Sequence, residues 1–295
     1  MSKKLLFIYN PMSGTGAIKP VLSDIIDVMV KAGFEVTVHP TQGRRDATDV
    51  AGVMAKKYDR IVCCGGDGTL DEVVTGLMHR GISIPIGYIP AGSTNDFANS
   101  LGIDRDMVSA AQVAVSGRPF CVDVGCANDD FFVYVAAFGI FTETSYQTPQ
   151  EMKNLLGHAA YVLEGIKQLK DVTSYRMQIE VGGNQIYDEF ILGMVTNADS
   201  VGGFKGLIGE NVDLNDGEFE VTLVKTPKNP IELNDILSHI SGLKKESEHV
   251  LSFRAKEIKF LSTDEVPWTY DGEFGGKYTE LTITNIRQAV EIIVE

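Results

Sequence analysis

The sequence predicts an N-terminal α/β domain with a mostly parallel sheet, followed by a C-terminal antiparallel β-sandwich domain. Over the first 120 or so residues, short apolar runs alternate with stretches of helical periodicity, which is typical of parallel sheets. From about Phe120 onward, strands with alternating hydrophobicity dominate, and one long helical stretch at 150–170 interrupts them. Three polar, glycine-containing loops follow strands of the first domain, at the edge where such sheets bind ligands.

The first domain is predicted to alternate strand, loop and helix. Gly33 ends the first helix, and Asp46 opens the second as a cap. Strands are predicted at four runs: LLFIY, FEVTVH, RIVCC and IPIGYIP. Helices are predicted at 21–29, 46–58 and 70–78, and again after AGSTNDFANSLG. The loops NPMSGTG, GGDGT and AGSTND lie at the carboxyl ends of strands, so we expect them to form one site.

The second domain is predicted to consist mainly of strands. They are expected at FCVDVGC, FFVYVAAFG, SYRMQIEV, QIYDEFILGMV, EFEVTLVK, VLSFRAKEIKFL and ELTIT. A hairpin turn is predicted at EVGGNQ, and the final AVEIIVE is interpreted as a strand that returns to the first domain. The expected domains are therefore residues 1–122, with 286–295 returning to them, and residues 123–285.

The charge balance argues against several classes of protein. The formal charge is −14, with 12 Lys and Arg against 13 Asp and Glu up to Gly125 and 14 against 27 after it. This argues against nucleic-acid partners, which require a basic face, and against membrane attachment by bulk charge. No apolar run approaches the roughly 20 residues that span a bilayer, and no secretory cleavage site follows the N-terminal apolar run. We therefore expect a cytoplasmic protein.

The stretch RIVCCGGDGTLDEVV is predicted to run from a strand through a tight loop into a helix. Backbone amides in such a loop can bind phosphate near the helix N-terminus. The loop lacks the lysine of a P-loop and does not match the G-x-G-x-x-G dinucleotide fingerprint. A metal ion would supply the missing positive charge, and Asp67 would offer it a hard oxygen ligand. The alternative is an Asp-Gly turn that only caps the helix.

GGDGTLDEVV, with YNPMSG near the N-terminus and IPAGSTNDFA about 25 residues later, resembles the diacylglycerol kinase catalytic domain of bacterial lipid kinases. Further segments extend the resemblance to soluble Gram-positive diacylglycerol kinases over nearly the whole chain: VDVG, ETSYQTPQEMKNLLGHAAYVLEGI, LNDGEFEV and YDGEFGGK. The family is related to sphingosine kinases and more distantly to NAD kinases. The resemblance implies an NAD kinase-like first domain and ATP-dependent, Mg²⁺-dependent phosphorylation.

The resemblance also implies which residues surround the ATP. They are Asn10, Ser13, Gly14, Thr41, Gly65, Gly66, Asp67, Gly68, Thr69, Glu72, Ser93, Thr94 and Asn95. One residue departs from the family pattern, because many relatives have asparagine where this chain has Asp71. Helical periodicity puts Asp71 off the apolar face, so we expect it to be exposed to solvent.

Three acids are predicted to be catalytic: Asp67, Asp123 and Glu273. Phosphoryl transfer to an alcohol needs a base, and the resemblance assigns that role to Glu273 in TYDGEFGGK, with Asp271 as a nearby rival. The alternative is that DGEFGG is a hairpin turn with an exposed acid. The resemblance also places Asp123, in CVDVG, in a magnesium network with Asp67. Asp123 could instead be a structural residue bonded to backbone amides, because an unpaired buried carboxylate is costly.

A second metal site is predicted in VDLNDGEFEV. Asp213, Asp216 and Glu218 fall where the family holds a structural Mg²⁺. Magnesium keeps several water ligands, so a few protein oxygens suffice. Asn-Asp-Gly is also a good hairpin turn by itself, and the two interpretations are compatible.

The helix at 150–170 is expected to pack mainly against the core. A wider apolar stripe, with Lys153, Lys167 and Lys170 at the headgroups, would let it touch a membrane. The resemblance implies diacylglycerol as substrate, phosphatidate as product, transient membrane contact and a homodimer. Three alternatives remain open: a kinase of a sphingoid base or another lipid alcohol, an NAD kinase, and a non-catalytic regulator that binds nucleotide or lipid.

Overall fold

The computed structural model describes residues 2–14, 16–140, 173–202, 208, 212–240 and 242–295. The chain divides into two compact units, one of residues 1–124 and 287–295 and the other of residues 125–286. We propose that these units correspond to the predicted domains, 1–122 with 286–295 and 123–285. The helix predicted at 150–170, with Lys153, Lys167 and Lys170, lies outside the described residues.

The first unit is built on a parallel sheet. Its strands are β1 Lys3–Tyr9, β2 Phe34–Pro40, β3 Arg60–Gly65 and β4 Ile86–Pro90. They lie in the order β2-β1-β3-β4, and neighbouring strands are parallel. The end of β13 (Glu273–Val294) joins them, since Ile292 pairs in parallel with Ile86. The apolar residues of β1 are fully buried, as expected for a strand covered on both faces.

The α-helices described in the first unit connect these strands. They are α1 Leu22–Lys31, α2 Asp46–Met54, α3 Asp67–Arg80, α4 Asp96–Ser100 and α5 Met107–Ser116. Helix α2 packs against α3, and α1 packs against α5. The α2–α3 contact is close at Gly76, where a Cβ atom would lie 2.2 Å from the backbone oxygen of Thr48. Glycine is therefore required inside α3, although it lowers helix propensity.

The second unit is an antiparallel β structure, and the fold class predicted from the sequence is confirmed. Its strands, with β5 leading into it, are β5 Arg118–Ala127, β6 Asp130–Phe132, β7 Val135–Gly139, β8 Tyr175–Val181, β9 Asn184–Thr196, β10 Phe219–Lys225, β11 Val250–Ala255 and β12 Glu257–Tyr270. The long strands β9 and β12 hold the unit together, because each pairs antiparallel with both β7 and β8.

The hairpin predicted at EVGGNQ joins β8 to β9. Val181 pairs with Asn184 across the two-residue turn. Gly182 and Gly183 have φ angles of 55° and 79°, in the left-handed region that this turn requires. Because the register of a hairpin is fixed by its turn, these glycines also set which residues of β8 and β9 face the core.

An aromatic cluster lies at the centre of the second unit. The ring centroids of Phe138 and Phe260 are each 4.9 Å from that of Trp268, with the rings steeply inclined. Edge-to-face pairs at this spacing contribute about 0.5–1.5 kcal/mol each beyond the burial of their apolar area. These rings belong to the core of the unit, which β7 and β12 also line with Ala136, Ile258 and Val266.

Helix α6, Pro230–Ile240, was not predicted from the sequence. Two side chains cap its N-terminus. Asn229 Oδ1 accepts the amides of Ile231 and Glu232, each at 3.0 Å. In the opposite direction, Glu232 Oε2 accepts the Lys228 amide at 2.7 Å. These bonds satisfy amides that a helix start otherwise leaves without a partner. All helices within the described ranges fall short of the length and hydrophobicity that a membrane span requires.

Candidate active site

Three loops at the carboxyl ends of β1, β3 and β4 come together in the first unit. The Ser13 hydroxyl accepts a hydrogen bond from the Gly66 amide at 3.2 Å. Gly14 lies against the next loop, because a Cβ there would sit 2.7 Å from the backbone oxygen of Ala91. A Cβ on Gly92 would lie 2.6 Å from Gly66 Cα. The three loops that the sequence placed at one sheet edge are therefore in contact.

The glycines of the GGDGT loop are required for different reasons. A Cβ on Gly65 would lie 2.4 Å from Oγ1 of Thr69, so Gly65 is required by packing inside the loop. A Cβ on Gly68 would meet no atom within 4 Å. Gly68 therefore lies on the open side of the loop, where a ligand has room to approach. The open space at Gly68 fits an approaching phosphate, and the assignment of Gly65 and Gly66 to the phosphate site stays a prediction.

The helix that follows this loop offers a site for an anion. Helix α3 begins at Asp67, its N-cap is Gly66, and no side chain of the N-cap bonds to its first turn. The first-turn amides and the dipole of a helix both favour a negatively charged group at its N-terminus. The strand–loop–helix arrangement therefore fits the phosphate groups of a nucleotide.

Asp67 is buried at the start of α3, with a side chain held by two donors. Its exposed fraction is 8%. The Tyr88 hydroxyl lies 3.3 Å from Asp67 Oδ1, and the backbone amide of Asp96 donates to Oδ2 at 3.0 Å. Burial, followed by the nearby Asp67 carboxylate, raises the pKa of Tyr88 well above its usual value. The phenol therefore stays protonated and remains a donor.

Two residues that contact Asp67, Tyr88 and Asp96, were not predicted from the sequence. Asp96 is only 1% exposed, and Tyr88 is equally buried on β4. Asp96 follows Asn95 in AGSTND and opens α4, so its motif carried a signal of a helix start beside the loop. Tyr88 carried no signal, because a tyrosine in the apolar run IGYIP is indistinguishable from a core residue.

The loops after β1 and β2 lie beside the glycine loop. Asn10 Nδ2 lies 3.5 Å from Thr69 Oγ1, at the limit of a hydrogen bond. The Thr41 amide donates to the backbone oxygen of Tyr9 at 2.9 Å. Asn10 and Thr41, both assigned to the nucleotide by resemblance, are therefore at the same edge of the sheet as Thr69.

Glu72, on helix α3, accepts hydrogen bonds from the start of helix α2. Its two carboxylate oxygens accept the backbone amides of Arg45 at 2.7 Å and Ala47 at 3.2 Å. Arg45 is held in the left-handed region with φ of 66°. The contacts of Glu72 therefore order the start of α2, and its place in the nucleotide site stays a prediction.

The turn Ser93–Thr94–Asn95 closes the third loop. Asn95 has a φ of 53°, and its side chain both accepts the Gly92 amide at 2.9 Å and donates to the Gly92 oxygen at 3.0 Å. The backbone oxygen of Thr94 accepts from Arg105 at 3.0 Å. Asn95 thus shapes the turn, while Ser93 is exposed beside it.

Asp71 and Asp123 have separate surroundings. Asp71 is half-buried rather than exposed as expected, and its Oδ1 accepts a long hydrogen bond from Thr75 at 3.4 Å, one turn further along α3. Asp123 is fully buried, and its Oδ1 accepts the backbone amide of Gln288 at 2.7 Å. The Asp123 contact is the one expected of its structural alternative. Its place in a magnesium network stays a prediction.

In the second unit, Glu273 and Asp271 occupy one hairpin with different environments. Asp271 is buried, and its carboxylate accepts the backbone amides of Val133, Tyr134 and Val135 at 2.6–2.9 Å. Glu273 is exposed and begins β13, directly after the turn. The hairpin with an exposed acid is therefore present, and this geometry is also compatible with a base that must meet a substrate.

Two of the three acids predicted to bind a second metal, Asp216 and Glu218, contact an arginine. Arg254 forms an ion pair with Asp216, and its other nitrogens lie 3.7 Å from Glu218 and 3.3 Å from Glu220. Asp213 is exposed and accepts the amide of the nearby Asn215. The single positive charge of Arg254 compensates only part of the charge of Asp216, Glu218 and Glu220, and the metal site at Asp213, Asp216 and Glu218 stays a prediction.

Clusters of potential metal ligands are scarce. Among the residues that the structure describes, no three His, Cys, Asp or Glu side chains form a group that could hold a metal ion. Asp67, with Asp96 beside it, nevertheless offers the carboxylate oxygens that Mg²⁺ prefers. In phosphoryl-transfer sites, one or two protein carboxylates suffice because substrate phosphates and water complete the coordination. The residues at this loop therefore fit a magnesium–nucleotide complex.

The fold and the loops define a class of protein: an α/β unit with a glycine-rich loop suited to phosphate groups, followed in the sequence by an antiparallel β unit. Residues 4–127 match the family described as diacylglycerol kinase catalytic domain. Residues 137–294 match the family described as YegS C-terminal NAD kinase beta sandwich-like domain.

Similar proteins match this chain over nearly its full length. It is 34% identical to the diacylglycerol kinase of Bacillus subtilis strain 168, over 93% of this chain and 91% of that protein. It is also 34% identical to the diacylglycerol kinase of Staphylococcus carnosus, over 99% and 95%. A crystal structure from Bacillus anthracis superposes with a TM-score of 0.85 at 28% identity, over 100% of this chain and 96% of that one. The chain belongs to the diacylglycerol kinase family of ATP-dependent lipid kinases.

Proposed function

We propose that this protein transfers the γ-phosphate of ATP to the free hydroxyl of diacylglycerol and releases phosphatidate. The observation that carries the proposal is the loop cluster of the first unit. Its buried Asp67 lies at the open N-terminus of α3, in a chain that matches the family over nearly its whole length. The substrate itself is inferred from the curated relatives, which are named diacylglycerol kinases.

The backbone of the glycine loop would bind the phosphates of ATP. Gly68 lies on its open side, and the first-turn amides of α3 direct their partial positive charge to the same place. Ser13 and Asn95 would fix the loops on either side through their bonds to Gly66 and Gly92. The remaining nucleotide residues carried over from the resemblance complete the proposed site: Asn10, Gly14, Thr41, Gly65, Thr69, Glu72, Ser93 and Thr94.

Asp67 would hold a magnesium ion on the polyphosphate, with Asp123 proposed as a second member of that network. When bound, Mg²⁺ neutralises charge on the phosphate oxygens during transfer. The support for Asp67 is its position at the phosphate end of α3, with both carboxylate oxygens oriented by donors. The support for Asp123 is its complete burial on a strand, where a carboxylate is costly without partners.

Glu273 would accept the proton from the lipid hydroxyl. Of the two acids in its hairpin, Asp271 is buried and already accepts three backbone amides. Glu273 is exposed at the start of β13, where it can reach a substrate. We therefore assign the base to Glu273 and a structural role to Asp271.

A lipid substrate also bears on where the protein works. We infer a cytoplasmic enzyme that touches the membrane surface only transiently, and a homodimer as the family resemblance implies. Flotation with diacylglycerol-containing vesicles would test the first inference, and light scattering after size exclusion would test the second. Full recovery in the vesicle-free fraction, or a mass near the 32.2 kDa of one chain, would contradict them.

The activity is tested with labelled ATP, Mg²⁺ and an acceptor in mixed micelles. Diacylglycerol, a sphingoid base and NAD serve as parallel acceptors, and the product is identified by mass spectrometry. We expect labelled phosphatidate as the main product. A product formed only from the sphingoid base or NAD would reassign the substrate, and ATP binding without any phosphorylated product would favour a regulator.

The assignment of the base is tested with Glu273→Gln. This change keeps the size of the side chain and removes its proton acceptor, so we expect kcat to fall by about 10²–10⁴-fold. ATP affinity should stay within about twofold, because the nucleotide loops are unchanged. Glu265→Gln is the matched control, an exposed acid on β12 of the same hairpin. A Glu273→Gln protein as active as the control would remove Glu273 from the mechanism.

A further inference from the structure

The hydroxyl of Tyr88 contacts the GGDGT loop. Tyr88 is on β4 with an exposed fraction of 1%. Its hydroxyl is 3.3 Å from Asp67 Oδ1 and 3.3 Å from the backbone oxygen of Gly65. A buried tyrosine hydroxyl needs a hydrogen-bond partner, and both neighbours are acceptors.

The single proton of this hydroxyl is directed to Asp67. The backbone oxygen of Gly65 already accepts the Ala91 amide at 2.7 Å, which is a short and well-formed bond. A carboxylate is the stronger acceptor, because hydrogen bonds to ionised groups are roughly twice as strong as neutral ones. The second oxygen of Asp67 accepts the Asp96 amide at 3.0 Å. The Tyr88 hydroxyl and the Asp96 amide therefore donate to different oxygens of the carboxylate.

We propose that Tyr88 is a positioning residue that orients the Asp67 carboxylate toward the metal–nucleotide complex. This rests on the proposed function of the loop. The two donors, from β4 and from the start of α4, fix the rotation of the Asp67 side chain. Losing the Tyr88 hydroxyl removes a donor that orients Oδ1, so that part of the ordering must be restored each time the magnesium–nucleotide complex binds.

Tyr88→Phe is the direct test, because it removes only the hydroxyl and keeps the ring that fills the core. ATP binding is measured by calorimetry, once with Mg²⁺ and once with EDTA. Because binding rather than turnover is measured, no lipid acceptor is needed. With Mg²⁺ we expect the Kd of Tyr88→Phe to rise about tenfold over wild type, and with EDTA we expect no difference. A merely structural loss would weaken binding equally in both conditions.

Two comparisons make the test specific. Tyr175→Phe removes a hydroxyl from another buried tyrosine, in β8 of the second unit, and should leave ATP binding unchanged. In an Asp67→Asn background, the added Tyr88→Phe change should have no further effect on the magnesium dependence, because the charge that Tyr88 orients is gone. Thermal unfolding of each variant establishes that it is folded.

The expected and contradicting results are distinct. Equal Kd values for wild type and folded Tyr88→Phe in Mg²⁺ would overturn the proposal, as would an equal loss in EDTA or an undiminished effect in the Asp67→Asn background. If Tyr88→Phe does not fold, replacing Tyr88 with 4-aminophenylalanine, which keeps the ring and puts an N–H donor where the hydroxyl lies, should keep magnesium-dependent binding; a tenfold loss there would also overturn it. Absence of phosphorylation by wild type would remove the proposed function, while the binding measurement would still decide the role of Tyr88.

Discussion

Two Asp-Gly pairs, Asp67–Gly68 in the first unit and Asp271–Gly272 in the second, have the same sequence and nearly the same burial. The exposed fractions of the aspartates are 8% and 5%. Both follow a buried strand, β3 in one case and β12 in the other. From the sequence alone, each pair predicts a turn, and each aspartate is a candidate functional acid.

The hydrogen bonds of the two aspartates differ. Asp271 accepts three backbone amides on its carboxylate, so its charge is satisfied by the fold itself. Asp67 accepts one amide and one phenol, at the N-terminus of a helix where the backbone attracts anions. The comparison teaches that burial does not separate a structural acid from a functional one. The position of the carboxylate does so better, because Asp67 lies at a helix N-terminus that favours an anion and Asp271 lies in a hairpin turn.

The largest effect is expected from Asp67→Asn. The change keeps the size of the side chain and removes the charge that would hold the metal, so we expect kcat to fall about 10³-fold, or ~4 kcal/mol of transition-state stabilisation. Stability should change by less than about 1 kcal/mol, because Asn can still accept from one donor. Steady-state kinetics and urea unfolding measure the two. An Asp67→Asn protein that is destabilised but still active would contradict the functional role that distinguishes Asp67 from Asp271.

Asp271→Asn should show the opposite pattern. An amide cannot accept on both sides, so at least one of the three backbone amides would face an NH₂ group in a buried site. We expect a loss of about 3 kcal/mol in the free energy of unfolding, measured by urea titration. Asp264→Asn is the control, an exposed acid on the same strand β12. A loss equal to that of the control would mean that Asp271 is not structural.

The sequence predicted the fold well where local signals decide it. The hairpin at Gly182–Gly183 and the strand–loop–helix at the GGDGT loop both follow from local chemistry. Helix α6 was missed although Asn229, Pro230 and Glu232 form a capping pattern that local reasoning recognises. Its place in a region of predicted strands outweighed that signal.

The site was predicted less completely, for a different reason. The amides that satisfy Asp271 come from residues more than 130 positions earlier in the chain, so no local pattern reveals them. Tyr88 likewise meets Asp67 only because β4 lies beside β3. Motifs identify which acids are available. Their roles depend on donors that tertiary structure brings to them.

A third buried acid, Glu220, sharpens the comparison because its main partner is a cation. It is 6% exposed, its Oε1 lies 3.3 Å from Arg254, and no described residue donates a hydrogen bond to its Oε2. Burial raises its pKa to about 7, against the opposing effect of Arg254. Unlike Asp271, this carboxyl group is therefore only partly compensated for its loss of water.

The pH dependence of stability follows from that shift. Since the pKa of Glu220 is higher in the folded chain than the ordinary 4.5, the folded state binds more protons between these values. Its stabilising contribution is present below pH 4.5 and is lost as the pH rises through 7. Relative to Glu220→Gln, wild type should lose about 1–2 kcal/mol between pH 5 and pH 8, measured by urea unfolding. A constant difference between the two proteins across this range would contradict the shift.

The smallest effect is expected from removing metal ions, and it tests whether Arg254 or a cation balances the acids of the second unit. Arg254 contacts Asp216, Glu218 and Glu220, so we expect its guanidinium to contribute more to the charge balance than a bound metal does. In the absence of nucleotide, EDTA in place of Mg²⁺ should shift the thermal midpoint of wild type by less than about 1 °C. In Arg254→Met the acids lose the contact with the guanidinium. Added Mg²⁺ should then raise the thermal midpoint, because the ion takes the place of the guanidinium. A fall of several degrees in wild type with EDTA, absent in Asp216→Asn, would show instead that a bound metal stabilises this turn.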